Sequence, residues 1–388
     1  MKRILFVEDD ELLREAYQVM TENAAGGWKA ATAQDAHEAL ELLKQSPFDV
    51  VASDMRMDGM SGTELLAEVS RLYPQTSRII ISGVADQAEA AEALKATHQF
   101  LSKPVEFKTL EGTLARIRAL DEFLNSQRLK TLAARMGSIP SFPALYLEIM
   151  KAIEADDTPL DVIHDLMIKD PGLTAKVLQV ANSAAMSPGQ RIMDPLEAVQ
   201  HLGVDTIRAL ALSAHVFANF TASQRINFPM NALWAHLMSC GSRARAIMEV
   251  EGAGSASADA AYTAGILHDI GKLMLADSLP AEFQEALARA ATSGEPYCEI
   301  EMEVFGASHA ALAAYLLGLW GLPAAIVEAV AFHHAPANSG HQEFSPLTAV
   351  HVANALEHES KGDTPQLDLE YLRRIGVEER LDDWRRGR

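Results

Sequence analysis

Two patterns of apolar and polar positions divide this chain. Up to about residue 120, short continuous apolar runs alternate with amphipathic stretches of helix length. Continuous apolar strands are typical of a parallel sheet covered by helices on both faces. The pattern therefore predicts a doubly wound α/β domain with a five-stranded parallel sheet. The predicted strands are Ile4–Val7, Trp28–Thr32, Val50–Ala52, Ile79–Ile81 and Gln99–Leu101, and the predicted helices begin near Glu11, Asp35, Gly62, Asp86 and Phe107.

The strand pattern stops after about Arg118, and helical periodicity continues to about residue 360. Turn signals such as Asp170-Pro171-Gly172 interrupt this second region without restoring strands. We predict an α/β domain over residues 1–120, a helical linker over 121–137, an all-helical domain over 138–360 and a charged tail over 361–388. From Arg373 to Arg388 the arginines are interleaved with Glu378, Glu379, Asp382 and Asp383, which is typical of a solvated face.

One apolar segment has the length of a membrane span. The 18 residues from Ala310 to Val327 carry no charge, which just reaches the usual length of a spanning helix. Gly318, Gly321 and Pro323 would divide such a helix, so two short buried helices joined at residues 321–323 explain the segment better. We expect no membrane partner.

Composition limits the partners and the compartment. The 388 residues include 33 basic and 53 acidic ones, a net charge of −20, and we find no basic patch, so DNA binding is not expected. Only two cysteines occur, Cys240 and Cys298, which leaves no disulfide framework and fits a reduced cytoplasm. Acidic residues end the first apolar run too early for an export signal.

Polar side chains stand where the predicted strands end. Glu8 and Asp9 follow the first strand, Asp54 the third, Ser82 the fourth and Lys103 the fifth. Carboxyl ends of parallel strands share one edge of a sheet, so these groups are expected to lie together. Three carboxylates at one point require a cation, and such oxygen ligands suit Mg²⁺. A carboxylate can also accept a phosphoryl group as nucleophile.

These positions carry four motifs that resemble the receiver domain of two-component response regulators: Val7-Glu8-Asp9-Asp10, Asp54-Met55-Arg56-Met57-Asp58-Gly59, Ile81-Ser82-Gly83 and Lys103-Pro104. The resemblance implies that Asp54 is the phospho-acceptor and that a sensor histidine kinase supplies the phosphoryl group. It implies that Lys103 pairs with the phosphoryl group and that Ser82 donates a hydrogen bond to it. It also implies that Mg²⁺ is held by Glu8, Asp9, Asp54 and the backbone carbonyl of Arg56.

Two residues near these motifs have alternative interpretations. Asp10 precedes Glu11-Leu12-Leu13 and is better explained as a helix N-cap than as a metal ligand. Phe100 resembles the family's switch aromatic, which turns inward when Ser82 engages the phosphoryl group. A plain core phenylalanine explains Phe100 nearly as well. The physical switch would be the charge added by the phosphate.

A second set of residues suggests a metal centre in the helical region. Imidazoles and a carboxylate on packed helices are the components of metal sites in bundle cores. The set comprises His236, His268, Asp269, His309, His333 and His334, with His351 nearby in sequence. Adjacent His268 and Asp269 on one helix are expected to reach a common ion, and histidines of other helices would complete its shell.

The helical region resembles the HD phosphohydrolase superfamily, which includes the HD-GYP phosphodiesterases, and more closely the HDOD family. The motifs are Asp170-Pro171-Gly172-Leu173, Val180-Ala181-Asn182-Ser183, Ala198-Val199-Gln200-His201-Leu202-Gly203 and Trp320-Gly321-Leu322-Pro323 followed by His333-His334. Asn354 stands where the resemblance expects the last metal-binding aspartate, and the Gly-Tyr-Pro signature is missing after His268-Asp269. Both departures argue against hydrolysis, so the site is interpreted as vestigial.

Each histidine also has a structural alternative. His201, His215 and His236 can be polar residues satisfied between helices or at the surface. His268 with Asp269 can be a buried hydrogen-bonded pair, and His333-His334 can complement the carbonyls at a helix end.

The sequence thus predicts a cytoplasmic response regulator that relays phosphorylation of Asp54 through protein contacts with an unknown downstream protein. The alternative is a receiver-gated, metal-dependent phosphodiesterase or phosphohydrolase acting on cyclic dinucleotides or nucleotides. An apolar stripe on the helix over residues 107–136 predicts a homodimer contact, its first half packing on the receiver sheet. The stripe consists of Phe107, Leu110, Leu114, Ile117 and Leu124.

Overall fold

The computed structural model describes the chain in several stretches, which form two compact units. One unit comprises residues 1–144 with 315–322, and the other comprises residues 145–314 with 323–388. The helix predicted near Asp86, His215, and the motifs at residues 170–173 and 180–183 lie outside the described residues. The described residues are 2–24, 27–82, 97–123, 128–129, 132, 148, 152, 160–167, 195–203, 207, 230–319, 322–362 and 366–386.

The first unit is built on a five-stranded parallel sheet, as the apolar runs predict. Its strand order is β2-β1-β3-β4-β5, and every neighbouring pair is parallel. The order reverses direction between β1 and β3, where ligand sites of doubly wound sheets lie. The strands are β1 Arg3–Val7, β2 Lys29–Ala33, β3 Val50–Asp54, β4 Ser77–Ser82 and β5 Gln99–Ser102.

Helices cover both faces of this sheet. Side chains of successive strand residues point to opposite faces, so Leu5 and Val7 enter one buried cluster while Ile4 and Phe6 enter the other. Helices α2 and α3 supply the first cluster, and α1 and α4 supply the second. These helices are α1 Glu11–Asn23, α2 Ala36–Gln45, α3 Gly62–Leu72 and α4 Phe107–Phe123.

The first half of the apolar stripe on α4 packs on the sheet, as predicted. Leu110, Leu114 and Ile117 are buried in the cluster that covers the sheet, which confirms packing for the first half. Phe107 is partly exposed, and Leu124 lies outside the described residues. The dimer contact stays a prediction.

Every described regular element of the second unit is helical. Helix α8 has seven consecutive buried residues, 261–267, in its C-terminal half, and it packs against α7, α13 and α14. The helices are α5 Leu160–Met167, α6 Pro195–Leu202, α7 Met230–Val250, α8 Ser255–Leu267, α9 Ile270–Ser278, α10 Pro280–Ser293, α11 Tyr297–Val304, α12 His309–Leu319, α13 Ala324–Phe332, α14 Pro346–Ser360, α15 Leu369–Arg374 and α16 Leu381–Arg386, with short 3₁₀ turns at Pro336–Ser339 and Glu378–Arg380.

The uncharged segment at residues 310–327 forms parts of two helices, α12 and α13, which confirms the prediction. Within the described stretches no single helix is long and apolar enough to cross a membrane. The pair α11 and α12, bent by 74°, satisfies length and composition alone.

The expectation of a solvated face over residues 373–388 is wrong at Leu381 and Trp384, which are buried, and the helix that leads into this stretch carries buried residues as well. Tyr371 and Leu372 on α15 are fully buried, and Trp384 on α16 is 2% exposed. The Trp384 indole N–H donates a hydrogen bond of 2.8 Å to Glu251 Oε1. The surrounding charges conceal these apolar positions in the sequence, although their burial fixes both helices on the second unit.

Candidate functional site

Three carboxylates converge at the carboxyl edge of the sheet, as predicted. Glu8 and Asp54 are buried, Asp9 is exposed, and the three can each offer an oxygen within 4.8 Å of the others. Register explains the convergence, because β1 and β3 are adjacent and both end at this edge. Carboxylate oxygens in this number are the ligands that Mg²⁺ prefers.

The Lys103 ammonium binds two of these carboxylates. Its Nζ lies 2.7 Å from Asp54 Oδ2 and 2.9 Å from Glu8 Oε2. The backbone N–H of Lys103 donates to the Ser82 carbonyl at 2.8 Å, which fixes the end of β5 beside β4. Lys103 is thus placed where a phosphoryl group on Asp54 would require a positive charge.

Burial affects the pKa values of two charged groups at this edge, Glu8 and Lys103. It raises the pKa of the Glu8 carboxyl above its usual value, and the hydrogen bond from Lys103 offsets this only in part. Burial also disfavours the ammonium form of Lys103, but its hydrogen bonds to Asp54 and Glu8 outweigh burial and raise its pKa. A carboxylate with a raised pKa gains from an added cation, so Glu8 favours occupation of this edge by a metal.

The remaining predicted receiver residues are placed to different degrees. Ser82 ends β4 and is buried, with its hydroxyl 3.9 Å from Met55 Sδ. Arg56 follows β3 at the same edge and is exposed. Phe100 lies on β5, but its side chain lies outside the described part of the structure. Asp10 caps α1 by accepting hydrogen bonds from the backbone N–H groups of Leu12 and Leu13, which confirms the N-cap interpretation.

Arg14 also belongs to this edge, although no motif in the sequence indicated it. Its guanidinium Nη1 donates to the backbone carbonyls of Glu8 at 2.6 Å and Asp9 at 2.9 Å. Two charge-assisted hydrogen bonds hold the loop that carries both acidic residues. A basic residue one turn into the helix after an acidic pair is the signal that could have revealed it.

Gly62 allows α3 to begin against the end of β3. A Cβ at this position would lie 1.8 Å from the Asp54 carbonyl oxygen and 2.8 Å from Ser53 Oγ. We expect Gly62→Ala to destabilise the protein by about 1–3 kcal/mol because the backbone must separate. Urea unfolding measures this loss.

Gly112 offers a matched control within α4. A Cβ there would meet only Arg116 Nη1, at 3.9 Å. Gly112→Ala should therefore be neutral or stabilise by about 0.5–1 kcal/mol, since alanine favours helix. Equal unfolding midpoints for the two variants would refute the close approach at Gly62.

The second set of predicted residues, the five histidines and Asp269, forms a cluster in the core of the helical unit. Its six members are buried or nearly so, and they form two groups that share Asp269. One group is His236, His268 and Asp269, and the other is Asp269, His309, His333 and His334.

The expectation that His268 and Asp269 lie on one helix is wrong. Helix α8 ends at Leu267, and α9 begins at Ile270, so both residues occupy the junction. Asp269 has φ −103° and ψ 7°, which interrupts the helix. Gly271 allows a close approach just after this break, because a Cβ there would lie 2.0 Å from the His309 carbonyl oxygen. The junction brings Asp269 against the start of α12.

The two oxygens of Asp269 face different groups. Oδ1 lies 2.9 Å from His309 Nε2 and 3.7 Å from His333 Nε2. Oδ2 lies 3.6 Å from His268 Nε2, 3.8 Å from His236 Nε2 and 2.6 Å from the Lys272 ammonium. A carboxylate shared between two sets of nitrogen atoms can bridge two cationic positions.

Hydrogen bonds fix the orientation of three imidazoles. The Nδ1 atoms of His268 and His333 lie 2.7 Å and 2.8 Å from the carbonyls of Gly265 and Val330. The Nδ1 atom of His309 lies 2.6 Å from a Glu301 carboxylate oxygen. Since each acceptor takes the Nδ1 proton, each Nε2 atom presents a lone pair toward Asp269, as in metal-binding histidines.

Protonation favours the same role. Burial lowers the pKa of His236 to about 3 and holds the pKa values of His333 and His334 well below the usual range, which favours neutral imidazoles. Burial opposes ionisation of Asp269, but the Lys272 ammonium and the imidazoles outweigh it and keep its pKa well below the usual range.

His309 differs from its neighbours. Burial disfavours its imidazolium form, but the Glu301 and Asp269 carboxylates together outweigh burial, and the pKa of His309 is raised. This side of the cluster therefore favours a positive charge.

Other predicted residues fall near this cluster or away from it. His351 is buried and spans from the His333 carbonyl to the Asp368 backbone N–H, at 2.7 Å and 2.9 Å, which is a structural role. Asn354 is buried on α14, and its Oδ1 has no hydrogen-bond partner among the described residues. His201 is exposed on α6.

Known proteins share both halves of this architecture. The HDOD domain profile matches residues 139–336, just over half of the chain. The chain belongs to the HDOD family. Residues 4–115 match the response regulator receiver domain, so this HDOD protein joins a receiver domain to an HDOD domain, an arrangement that supports a response regulator with an HD-related output.

Individual relatives cover parts of this HDOD protein. It is 31% identical over 189 residues to the transcriptional regulatory protein ZraR of Salmonella typhi, which covers 48% of this chain and 42% of ZraR. It is 28% identical over 238 residues to an uncharacterized protein of Treponema pallidum, which covers 61% of this chain and 45% of that protein. The chain thus spans less than half the length of these curated relatives.

A solved structure supports the fold of the helical unit. The crystal structure of an HDOD domain protein from Geobacter sulfurreducens aligns with a TM-score of 0.51 at 22% identity. The alignment covers 66% of this chain and 98% of that one.

Proposed function

We propose that Asp54 accepts a phosphoryl group from a sensor histidine kinase, and that the HDOD domain passes the signal to a downstream protein by direct contact. The observation that carries the proposal is the position of the Lys103 ammonium, 2.7 Å from Asp54 Oδ2, beside an acidic pair. The kinase and the downstream protein are identified only by these roles, and the cytoplasm is the compartment where both would meet the chain.

The chain's own residues account for the transfer. An Asp54 oxygen attacks the phosphorus of a phosphohistidine, a phosphorus–oxygen bond forms, and the phosphorus–nitrogen bond breaks with the electron pair left on the imidazole. Lys103 stabilises the negative charge on the phosphoryl oxygens, and Ser82 donates a hydrogen bond to one of them. Glu8, Asp9, Asp54 and the Arg56 carbonyl would hold Mg²⁺, which supplies further charge neutralisation when bound.

The added charge would then alter the face formed by β4 and β5. Ser82 ends β4, and the backbone N–H of Lys103 donates a hydrogen bond to the Ser82 carbonyl. A hydrogen bond from the Ser82 hydroxyl to phosphate would therefore shift the ends of both β4 and β5. Phe100 on β5 is the aromatic expected to respond. Dimerisation through the 107–136 helix on phosphorylation belongs to the same proposal, and light scattering that detects only monomer after phosphorylation would remove it.

Mg²⁺ binding should weaken as the pH falls from neutral into the mildly acidic range. Burial raises the pKa of Glu8, so protons compete with the ion for this carboxylate at a higher pH than for an ordinary one. Bound Mg²⁺ stabilises the folded state by about 2.7 kcal/mol at a hundred times its Kd. Thermal unfolding across Mg²⁺ concentrations, repeated at several pH values, measures the affinity.

Glu8→Gln serves as the comparison for this titration. It should weaken Mg²⁺ binding at neutral pH and flatten the pH dependence, because the amide does not titrate. Identical pH profiles for the two proteins would show that Glu8 is not the responsible group.

The HDOD cluster supports a second function, binding of a divalent metal. His333 Nε2 is buried, receives no hydrogen bond from any described residue, and faces Asp269 Oδ1 at 3.7 Å. A carboxylate oxygen and an imidazole lone pair that face each other repel unless a cation lies between them. Imidazole with one carboxylate suits Zn²⁺, Fe²⁺ or a similar ion.

Hydrolysis is the alternative output and is disfavoured. Asn354 stands in place of the expected last carboxylate ligand, and an amide brings no charge to a dication. We therefore assign signalling by contact rather than catalysis to the output domain. Turnover of a cyclic dinucleotide that His268→Ala abolishes would reverse this assignment.

A further inference from the structure

The groups around the two carboxylate oxygens of Asp269 differ in how many of them have a hydrogen-bond partner. On the Oδ2 side, the Lys272 ammonium donates to Oδ2 at 2.6 Å. His236 Nε2 lies 3.3 Å from His268 Nε2, whose lone pair is free because its Nδ1 proton goes to a carbonyl. The His236 Nδ1 atom lies 3.4 Å from the Lys361 ammonium and can accept from it.

This side therefore forms a closed network. Lys361 donates to His236, His236 donates to His268, and Lys272 neutralises the carboxylate oxygen. Every polar atom named here has a partner of the opposite hydrogen-bonding type, and a positive charge is already present. A metal ion would have to displace an ammonium group to bind.

The Oδ1 side is not closed. His309 and His333 give their Nδ1 protons to other acceptors, so both Nε2 atoms are lone-pair donors. His334 Nε2 lies 3.2 Å from His309 Nε2, and one proton between them satisfies only that pair. His333 Nε2 remains without a hydrogen bond from any residue in the described stretches, although it faces Asp269 Oδ1 at 3.7 Å.

Glu301 distinguishes His309 from the other oriented imidazoles. His268 and His333 donate to neutral backbone carbonyls, whereas His309 donates to a carboxylate. The same Glu301 Oε2 atom also accepts the His309 backbone N–H at 3.0 Å. Glu301 is fully buried on α11, so it can fix both the ring and the first residue of α12.

We propose that the HDOD domain holds a single divalent ion on the Oδ1 side of Asp269, with His309, His333 and His334, and that Glu301 is the positioning residue of His309. A carboxylate behind an imidazole increases the electron density on the opposite nitrogen and holds the ring in one tautomer. Three nitrogen atoms and one oxygen atom select a transition ion such as Zn²⁺ or Co²⁺ over Mg²⁺. This inference rests on the metal-binding function proposed above.

Co²⁺ provides a direct probe of the number and nature of ligands. The full chain, freed of metal by chelation, is titrated with Co²⁺, and visible absorption is followed at constant pH in excess Mg²⁺ to occupy the receiver edge. We expect one equivalent to bind with nitrogen ligation. His333→Ala should abolish the signal, whereas His236→Ala should leave one equivalent bound. Two equivalents, or loss of the signal in His236→Ala alone, would overturn the one-ion assignment.

Glu301→Gln tests the positioning role. It keeps an oxygen acceptor for His309 but removes the charge, so we expect the Co²⁺ affinity to fall about 10- to 100-fold with the spectrum largely retained. Glu303→Gln is the matched control, since Glu303 lies on the same helix and is exposed. In a His309→Ala background, Glu301→Gln should have no further effect. Unchanged affinity in Glu301→Gln, or an equal loss with His309 absent, would overturn the role.

A readout on the metal-free protein keeps the two proposals separable. Nitrogen-detected NMR at alkaline pH, where the His309 imidazole is neutral, should show His309 as the Nδ1–H tautomer in the wild type and a mixed population in Glu301→Gln, with circular dichroism confirming the fold. A wild type that binds no Co²⁺ refutes the metal centre and the present inference together. Tight binding that Glu301→Gln leaves intact refutes this inference alone.

Discussion

Asp54→Ala is expected to abolish phosphorylation of the full chain by acetyl phosphate in the presence of Mg²⁺, while the wild type gains one phosphoryl group. Asp54 is the carboxylate closest to the Lys103 ammonium, at 2.7 Å, and it shares its edge with two further carboxylates. Alanine removes the nucleophile itself, so the effect is all or none rather than graded. Intact mass spectrometry under non-acidic, cold conditions measures the added group.

Asp58→Ala is the matched control for this loss. Asp58 is exposed and lies four residues beyond Asp54, so it tests whether any nearby carboxylate suffices. It should be phosphorylated like the wild type. A phosphoryl group that persists in Asp54→Ala, or one that Asp58→Ala loses, would move the acceptor elsewhere and remove the basis of the signalling account.

Asp269→Asn is expected to remove bound transition metal from the HDOD domain. Asp269 is the one residue common to both groups of the cluster, and its carboxylate is the negative charge that the surrounding imidazoles face. An amide retains the shape but contributes no charge to a dication. Metal content after loading with Zn²⁺ and removal of free ion should fall from one equivalent per chain to near zero.

Asp259→Asn controls for the general effect of this substitution. Asp259 lies on α8, ten residues before Asp269, and is partly exposed in an ion pair with Arg245. It should retain the metal of the wild type. Circular dichroism separates loss of metal from loss of fold, because breaking the pair between Lys272 and a buried Asp269 also destabilises the domain. Metal retained by a folded Asp269→Asn would refute the centre.

The acidic edge of the sheet was predictable because its residues stand at the ends of strands. Parallel strands must place their carboxyl ends at one edge, so Glu8, Asp54 and Lys103 converge once the strands are recognised. The structure adds the Lys103 contacts and the role of Arg14, which depends on one turn of helix geometry after the acidic pair. The helix near Asp86 lies outside the described residues, so that prediction stays untested.

The HDOD cluster was predictable in composition but not in arrangement. The histidines and Asp269 were recognised, yet the sequence placed His268 and Asp269 on one helix, and the structure places them between two. The junction lies against a segment far along the chain, since Gly271 closely approaches the His309 carbonyl, and local sequence patterns do not show such a contact. The buried helices α15 and α16 were missed for a similar reason, because their charges conceal a few buried apolar positions.

By itself, the sequence determined which reactive groups this chain carries: an acidic edge on a parallel sheet and a set of histidines in a helical domain. Short-range rules suffice there, since strand ends and residue types are local properties. Only the tertiary structure decided that Asp269 faces two unlike groups, that Lys272 closes one of them, and that Glu301 lies behind His309. Those relations depend on how separate helices pack, and the same residues buried singly would have produced the same sequence pattern.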